Sequence, residues 1–327
     1  MQLEEGLSPK NNRPLIVAAL GVGLLIFLMG LFLSALLPFA GEQKVFTLES
    51  GMGFRDVADR LAAENLVKSS LATKFYMLIS GSAFGLQPGV YLLSSSLGAA
   101  DIVSVLSKGD RQTKMVTIPE GSSIYDIDTI LSENYVVISG EFIKYAADKK
   151  LEGRLFPDTY EFFVNSAPEE VVVKMEENFK EKTAKLLDLT KKEDVEKLII
   201  ASLVEKEVPN MEDRRIVAGI IYRRLAIGMP LQIDATICYI KEVANKTSTC
   251  YPLSDFDFKV DSPYNTYLYR GVPAGAISNP GISAIEAVIN PVKTSYLFYL
   301  SDPVTKKTIF SETLDRHAQN RVKYLNK

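Results

Sequence analysis

The chain has 327 residues, 47% of them hydrophobic and 24% charged, with a formal net charge of −3. That length accommodates two or three compact units, each able to bury a core, and the near-neutral charge without a long basic run excludes sequence-independent binding of nucleic acid. One histidine, His317, and two cysteines, Cys238 and Cys250, exclude a four-ligand structural zinc site.

No P-loop and no complete GxGxxG follows a strand-like run, so any chemistry rests on carboxylates. Residues 15–37 form an uncharged run of 23. As a helix this run is about 34 Å long, enough for a hydrocarbon core of about 30 Å. An uncleaved single membrane span is expected, because a signal peptide's apolar region is only about 7–15 residues. Lys10 and Arg13 before the run and Lys44 and Arg55 after it nearly balance. The simpler arrangement puts a tail, 1–14, in the cytoplasm and the rest of the chain outside. An oxidising compartment would let Cys238 and Cys250 pair across 241–249, which reads as an exposed loop. The other reading is two unrelated thiols, one on a strand-like run at 236–240, and spacing alone does not choose between them.

A repeat follows the apolar run. Residues 46–61 align without a gap with residues 116–131, and Thr47/Thr117, Gly51/Gly121, Asp56/Asp126 and Leu61/Leu131 coincide. Each copy reads as a short strand, a turn glycine and an amphipathic helix. Between the copies, 86–93 reads as a turn entering a strand and 99–106 as a short helix. Gly153 and Pro157 then interrupt any helix in a segment rich in aromatics. The organisation expected is 15–37 as membrane helix, 42–110 as a first αβ module, 111–165 as a second module with a cleft loop, and 166–327 as a catalytic domain. The fold class expected is α+β.

Helices are expected over about 169–187, 193–208 and 212–226. The middle one is apolar nearly all round in its second half, as befits the centre of a domain. Glu205 lies on it, on the face shared by Ser202 and Leu198. A carboxyl desolvated there has a raised pKa and suits protonation of a glycosidic oxygen. A buried, paired glutamate is the alternative, with Lys206 and Arg214 as partners. Glu207 lies about 200° further round the helix, so the two carboxylates do not form a local pair. Asp234, Asp158 and Glu152 are possible sources of a second carboxylate.

Several ordered blocks resemble the endolytic murein transglycosylases, the MltG or YceG-like family. They are Leu151 to Tyr160, Ala201 to Glu207, Val217 to Leu225, Gly228 to Asp234, Ser262 to Tyr267, Gly271 to Gly275 and Ile277 to Gly281. The resemblance implies a single-pass protein of the bacterial cytoplasmic membrane with a LysM-like N-terminal region. It implies cleavage of the MurNAc–GlcNAc bond of nascent peptidoglycan glycan strands, leaving 1,6-anhydroMurNAc ends and terminating elongation, with no metal or cofactor. It assigns the acid to the first glutamate of Glu205-Lys-Glu207; Glu207 matches the family as well and is expected to support the helix end or loop. Glu152, Asp158, Tyr160, Ser202, Gln232, Asp234, Tyr264, Asn265 and Asn279 are the candidates for holding the glycan. Proximity to peptidoglycan synthases and to division or elongation machinery is implied as well. The sequence departs from the family pattern at Ala235, Ala274 and Thr308, where the family carries Pro, Pro and His. The rival class is a membrane-anchored glycan-binding or division-scaffold protein without turnover.

Overall fold

The computed structural model describes residues 13–245 and 250–325. The chain divides into two compact units, Met1–Gln112 and Thr113–Lys327. The expected second module and the expected catalytic domain both lie in the second unit.

The first unit contains α1 (Arg13–Leu36), β1 (Gln43–Leu48), α2 (Phe54–Ala63), α3 (Ser70–Ile79), β2 (Gly89–Ser94) and α4 (Ala99–Lys108). β1 and β2 pair antiparallel, from Gln43↔Ser94 to Leu48↔Gly89. Alternation along β1 sends Phe46 and Leu48 inward, where they meet Val57 and Leu61 of α2 and Ile102 and Leu106 of α4. The Ser69 hydroxyl caps α3 by accepting from the Ala72 N–H at 3.3 Å. The expected cytoplasmic tail lies outside the described residues up to residue 12. The expected span is helical as α1, yet among the described residues no helix is long and apolar enough to cross a membrane.

The second unit begins with the same plan. β3 (Thr113–Thr117), α5 (Ile124–Glu133), α6 (Glu141–Asp148) and β4 (Thr159–Phe163) repeat the strand–helix–helix–strand order. β3, α5 and β4 each start 70 residues after β1, α2 and β2. Gly51 and Gly121 both take positive φ, 86° and 77°, at the turn into the helix, which explains a glycine in each copy. The helix that follows in each copy, α3 or α6, was not anticipated. A capping box between Ser123 and Asp126 starts α5.

The remainder is α7 (Pro168–Thr183), α8 (Lys192–Glu207), α9 (Met211–Ala226), α10 (Asp234–Asn245), α11 (Ile282–Ile289), β5 (Phe298–Ser301), β6 (Thr308–Ser311) and α12 (Leu314–Leu325). Residues 198–204 of α8 are all buried, packed among α9, α10 and α11. Val208 leaves the helical conformation just before Pro209, and Asn210 caps α9 by accepting from the Asp213 N–H at 2.8 Å.

The strand-like run at 236–240 is helical, inside α10. β-branched residues favour strands only weakly, and here burial of Thr236, Ile237 and Tyr239 beside α8 decides. The expected loop at 241–249 is helical to Asn245, and 246–249 lies outside the described residues. Cys238 and Cys250 are joined by a disulfide, so the paired reading holds.

Candidate active site

Glu205 is buried, its side chain only 4% exposed. One carboxylate oxygen is ion-paired with the Arg214 guanidinium, and the other accepts from the Gly281 N–H at 3.0 Å. Arg214 also donates to Val208 O at 2.9 Å and to the Ser283 hydroxyl. Burial pushes the Glu205 carboxyl up from its ordinary value, while the Arg214 charge and the Gly281 N–H pull against it. Both partners favour the ionised form. Lys206, the other anticipated partner, instead donates to Gly121 O at 3.1 Å. Glu205 thus ties α8 to α9 and to the N-terminus of α11.

Glu207 is placed differently. It is the last residue of α8 and lines a cavity of about 790 Å³ together with Arg224, Gln232, Asp234, Tyr267 and Tyr299. That volume is in the range of small-molecule pockets. The Tyr299 hydroxyl donates to Glu207 at 2.7 Å. Burial pushes the Glu207 carboxyl up to about 7; Tyr299 opposes this, and the charge of Asp234 adds to it. A position at a helix C-terminus also disfavours negative charge. Glu207 can therefore hold a proton near neutrality, in a cavity.

Asp234 opens α10 and accepts from the Tyr267 hydroxyl. Gln232 has φ of 48°, a left-handed conformation uncommon for such a residue. It is held there by its N–H on Thr266 O at 3.1 Å and by the Ile233 N–H on the Thr266 hydroxyl at 3.0 Å. Backbone strain of this kind concentrates at functional sites. Arg224 is anchored by its Nε to Leu297 O at 2.7 Å, with its guanidinium over the Phe298 ring.

The other anticipated residues do not gather here. Glu152 and Tyr264 line a second cavity of about 520 Å³. Burial pushes Glu152 up to about 8, and its oxygens accept from the Ile124 N–H and the Asn279 amide. Asn279 also donates to Ser122 O and accepts from the Leu155 N–H, so its amide is fully engaged within the fold. Asn265 donates to Phe258 O and Val260 O and accepts from the Tyr267 N–H, shaping the loop that presents Tyr267. Ser202 donates to Ile199 O and accepts from the Ile277 N–H in the core. Asp158 and Tyr160 meet at the Asn178 amide of α7.

Tyr299, Arg224 and Tyr267, which line the cavity beside Glu207, are not among the residues the sequence singles out. Tyr299 carries no local signal, since 92 residues separate it from Glu207.

A match to the YceG-like family covers residues 46–323. The chain belongs to the YceG-like family. It is similar to the endolytic murein transglycosylase of Bacillus subtilis strain 168, 29% identical over 326 residues covering 90% of this chain and 89% of that protein. It is also similar to the protein of that name from Streptococcus pneumoniae serotype 2 strain D39, 28% identical over 340 residues. That alignment covers 90% of this chain but only 61% of the longer streptococcal protein. The crystal structure of a yceG-like protein from Listeria monocytogenes matches with a TM-score of 0.53 and 27% identity, covering 86% of this chain and 100% of that one. Of the departures from the YceG-like pattern, Thr308 donates to Asp213 at 2.7 Å and Ala235 lies buried in the first turn of α10.

Proposed function

We propose that this YceG-like chain is an endolytic lytic transglycosylase of peptidoglycan, with Glu207 rather than Glu205 as its acid. One observation carries the assignment. Of the two glutamates at the end of α8, Glu207 combines a cavity, a raised pKa and a neutral hydrogen-bond partner, whereas Glu205 is closed in an ion pair.

The Glu207 proton passes to the oxygen linking N-acetylmuramic acid to N-acetylglucosamine, and the C1–O bond breaks. The muramic C6 hydroxyl attacks C1 and returns its proton to the Glu207 carboxylate. A 1,6-anhydro end forms and no water is consumed. The internal hydroxyl replaces an activated water through its high effective concentration. Tyr299 holds one Glu207 oxygen, steadying the carboxylate after proton transfer. The Asp234 charge raises the Glu207 pKa beforehand and stabilises positive charge developing at C1. Gln232 and Tyr267 border the same cavity and would hold the sugar.

The anchor is part of the proposal. α1 would cross the cytoplasmic membrane once and place both units outside, beside the synthases that make nascent strands. The uncharged run of 15–37 and the Cys238–Cys250 bond support this placement, since disulfides persist in oxidising compartments. Each βααβ module would by itself bind the strand in a LysM-like manner.

The test is digestion of purified glycan strands, with mass spectrometry of the ends. Anhydro ends that vanish in Glu207→Gln and persist in a folded Glu205→Gln support the assignment. The reverse pattern returns the role to Glu205. Reducing ends indicate a hydrolase, and binding without new ends indicates a scaffold.

A further inference from the structure

The helix α3 is apolar on two faces. Ala72, Thr73 and Met77 turn into the core of the first unit. Leu71, Phe75, Leu78 and Ile79 follow the i, i+4, i+7, i+8 spacing of a second stripe, and all four are exposed, Leu71 at 78%. Phe84, a few residues beyond the helix, is 91% exposed. A contiguous apolar patch of this kind on a protein surface marks an interaction site.

The surroundings of the patch indicate its occupant. The Phe75 ring meets Phe32 of α1 edge to face, with centroids 5.4 Å apart. Leu71 and Phe75 share a groove of about 430 Å³ with Leu31, Phe32 and Ala35 of α1. The stripe is therefore continuous with the apolar surface of α1. Phe32 lies four residues before the end of α1, about 6 Å along the axis. Lys68, just before α3, lays its ammonium against Ser34 O at 3.4 Å and over the Phe39 ring. An amphipathic cation beside aromatics at the end of an apolar helix is the arrangement found at headgroup depth.

We propose that α3 and Phe84 insert into the outer interface of the lipid bilayer, seating the first unit on the membrane instead of letting it swing on a tether. The partner is the acyl–headgroup boundary, and α3 is an interfacial helix lying beside the end of the span. The inference rests on the reading of α1 as a membrane anchor.

The chain contains no tryptophan, so single reporters are unambiguous. The full chain is reconstituted in phosphatidylcholine–phosphatidylglycerol vesicles carrying Phe27→Trp, Phe75→Trp or Phe84→Trp. Lipids brominated at shallow or deep acyl positions serve as quenchers, with iodide as the aqueous quencher. Expected are deep quenching for Phe27→Trp and shallow-lipid quenching, with protection from iodide, for Phe75→Trp and Phe84→Trp. Quenching of Phe27→Trp alone, with iodide reaching the other two, overturns the seating and leaves the anchor intact. No lipid quenching at Phe27→Trp overturns the anchor itself. Protection from iodide at Phe75→Trp and Phe84→Trp without lipid quenching assigns the stripe to a second copy of the chain, and also overturns the proposal.

Discussion

Tyr299 donates a hydrogen bond of 2.7 Å to Glu207, joining the first strand of the C-terminal hairpin to the last residue of α8. Because Glu207 must be protonated to act as an acid, and its carboxyl sits at about 7, the rate should fall as pH rises through that value. The Tyr299 bond favours the carboxylate, so Tyr299→Phe should move this limb of the pH–rate profile upward. A hydrogen bond to a charged group is worth about 1.5–3 kcal/mol, which makes the shift on the order of one pH unit. A profile unchanged in Tyr299→Phe would remove Glu207 from the role of acid.

Glu207→Gln should lower turnover by about 10²–10⁴-fold while the thermal transition stays within a few degrees of wild type, the range for loss of a general acid. Glycan end analysis and calorimetry on one preparation separate the two effects. Loss of activity that tracks loss of folded protein would argue for a structural role.

Glu205→Gln is expected to behave in the opposite way. The ion pair with Arg214 joins side chains only 4% and 6% exposed, and stranding a buried guanidinium costs about 3–5 kcal/mol. Denaturant unfolding should show that loss, with activity per folded molecule retained. Combining Glu205→Gln with Arg214→Met should recover much of the stability, because no buried charge is then left without its main partner.

Burial lifts Glu152 from 4.5 to about 8. The folded state keeps this proton over a pH range in which the unfolded state has released it. Its stabilising effect is complete below about pH 4.5 and is lost as pH rises toward 8. Glu242, lifted to about 7, and Glu207 contribute with the same sign. Stability measured from pH 5 to 8 should therefore decline less steeply in Glu152→Gln than in wild type. Parallel curves would mean that Glu152 is ionised in the fold.

Reducing the Cys238–Cys250 bond reopens a loop closed across 12 residues, and chain entropy puts the loss at about 3 kcal/mol. Tyr251, next to Cys250, lines the Glu207 cavity, so reduction should also raise KM for glycan strands more than it lowers kcat. An unchanged KM would separate this loop from substrate binding.

The 70-residue repeat, the turn glycines at 51 and 121, the buried helix ending before Pro209 and the family blocks were all legible in the residues themselves. Each depends on local backbone preference or on the period of apolar side chains, which a linear string records. α10 was misread because a short β-branched run is ambiguous until its neighbours are known. The choice between Glu205 and Glu207 could not be made from the string at all. Both sit on one apolar helix, two residues apart, and intrinsically the two carboxyl groups are alike. What separates them is contributed from elsewhere: Arg214 and Gly281 around one, Tyr299 and Asp234 around the other. A carboxyl group's protonation depends on the charges, dipoles and solvent within a few ångströms of it, and only the packed fold brings those together.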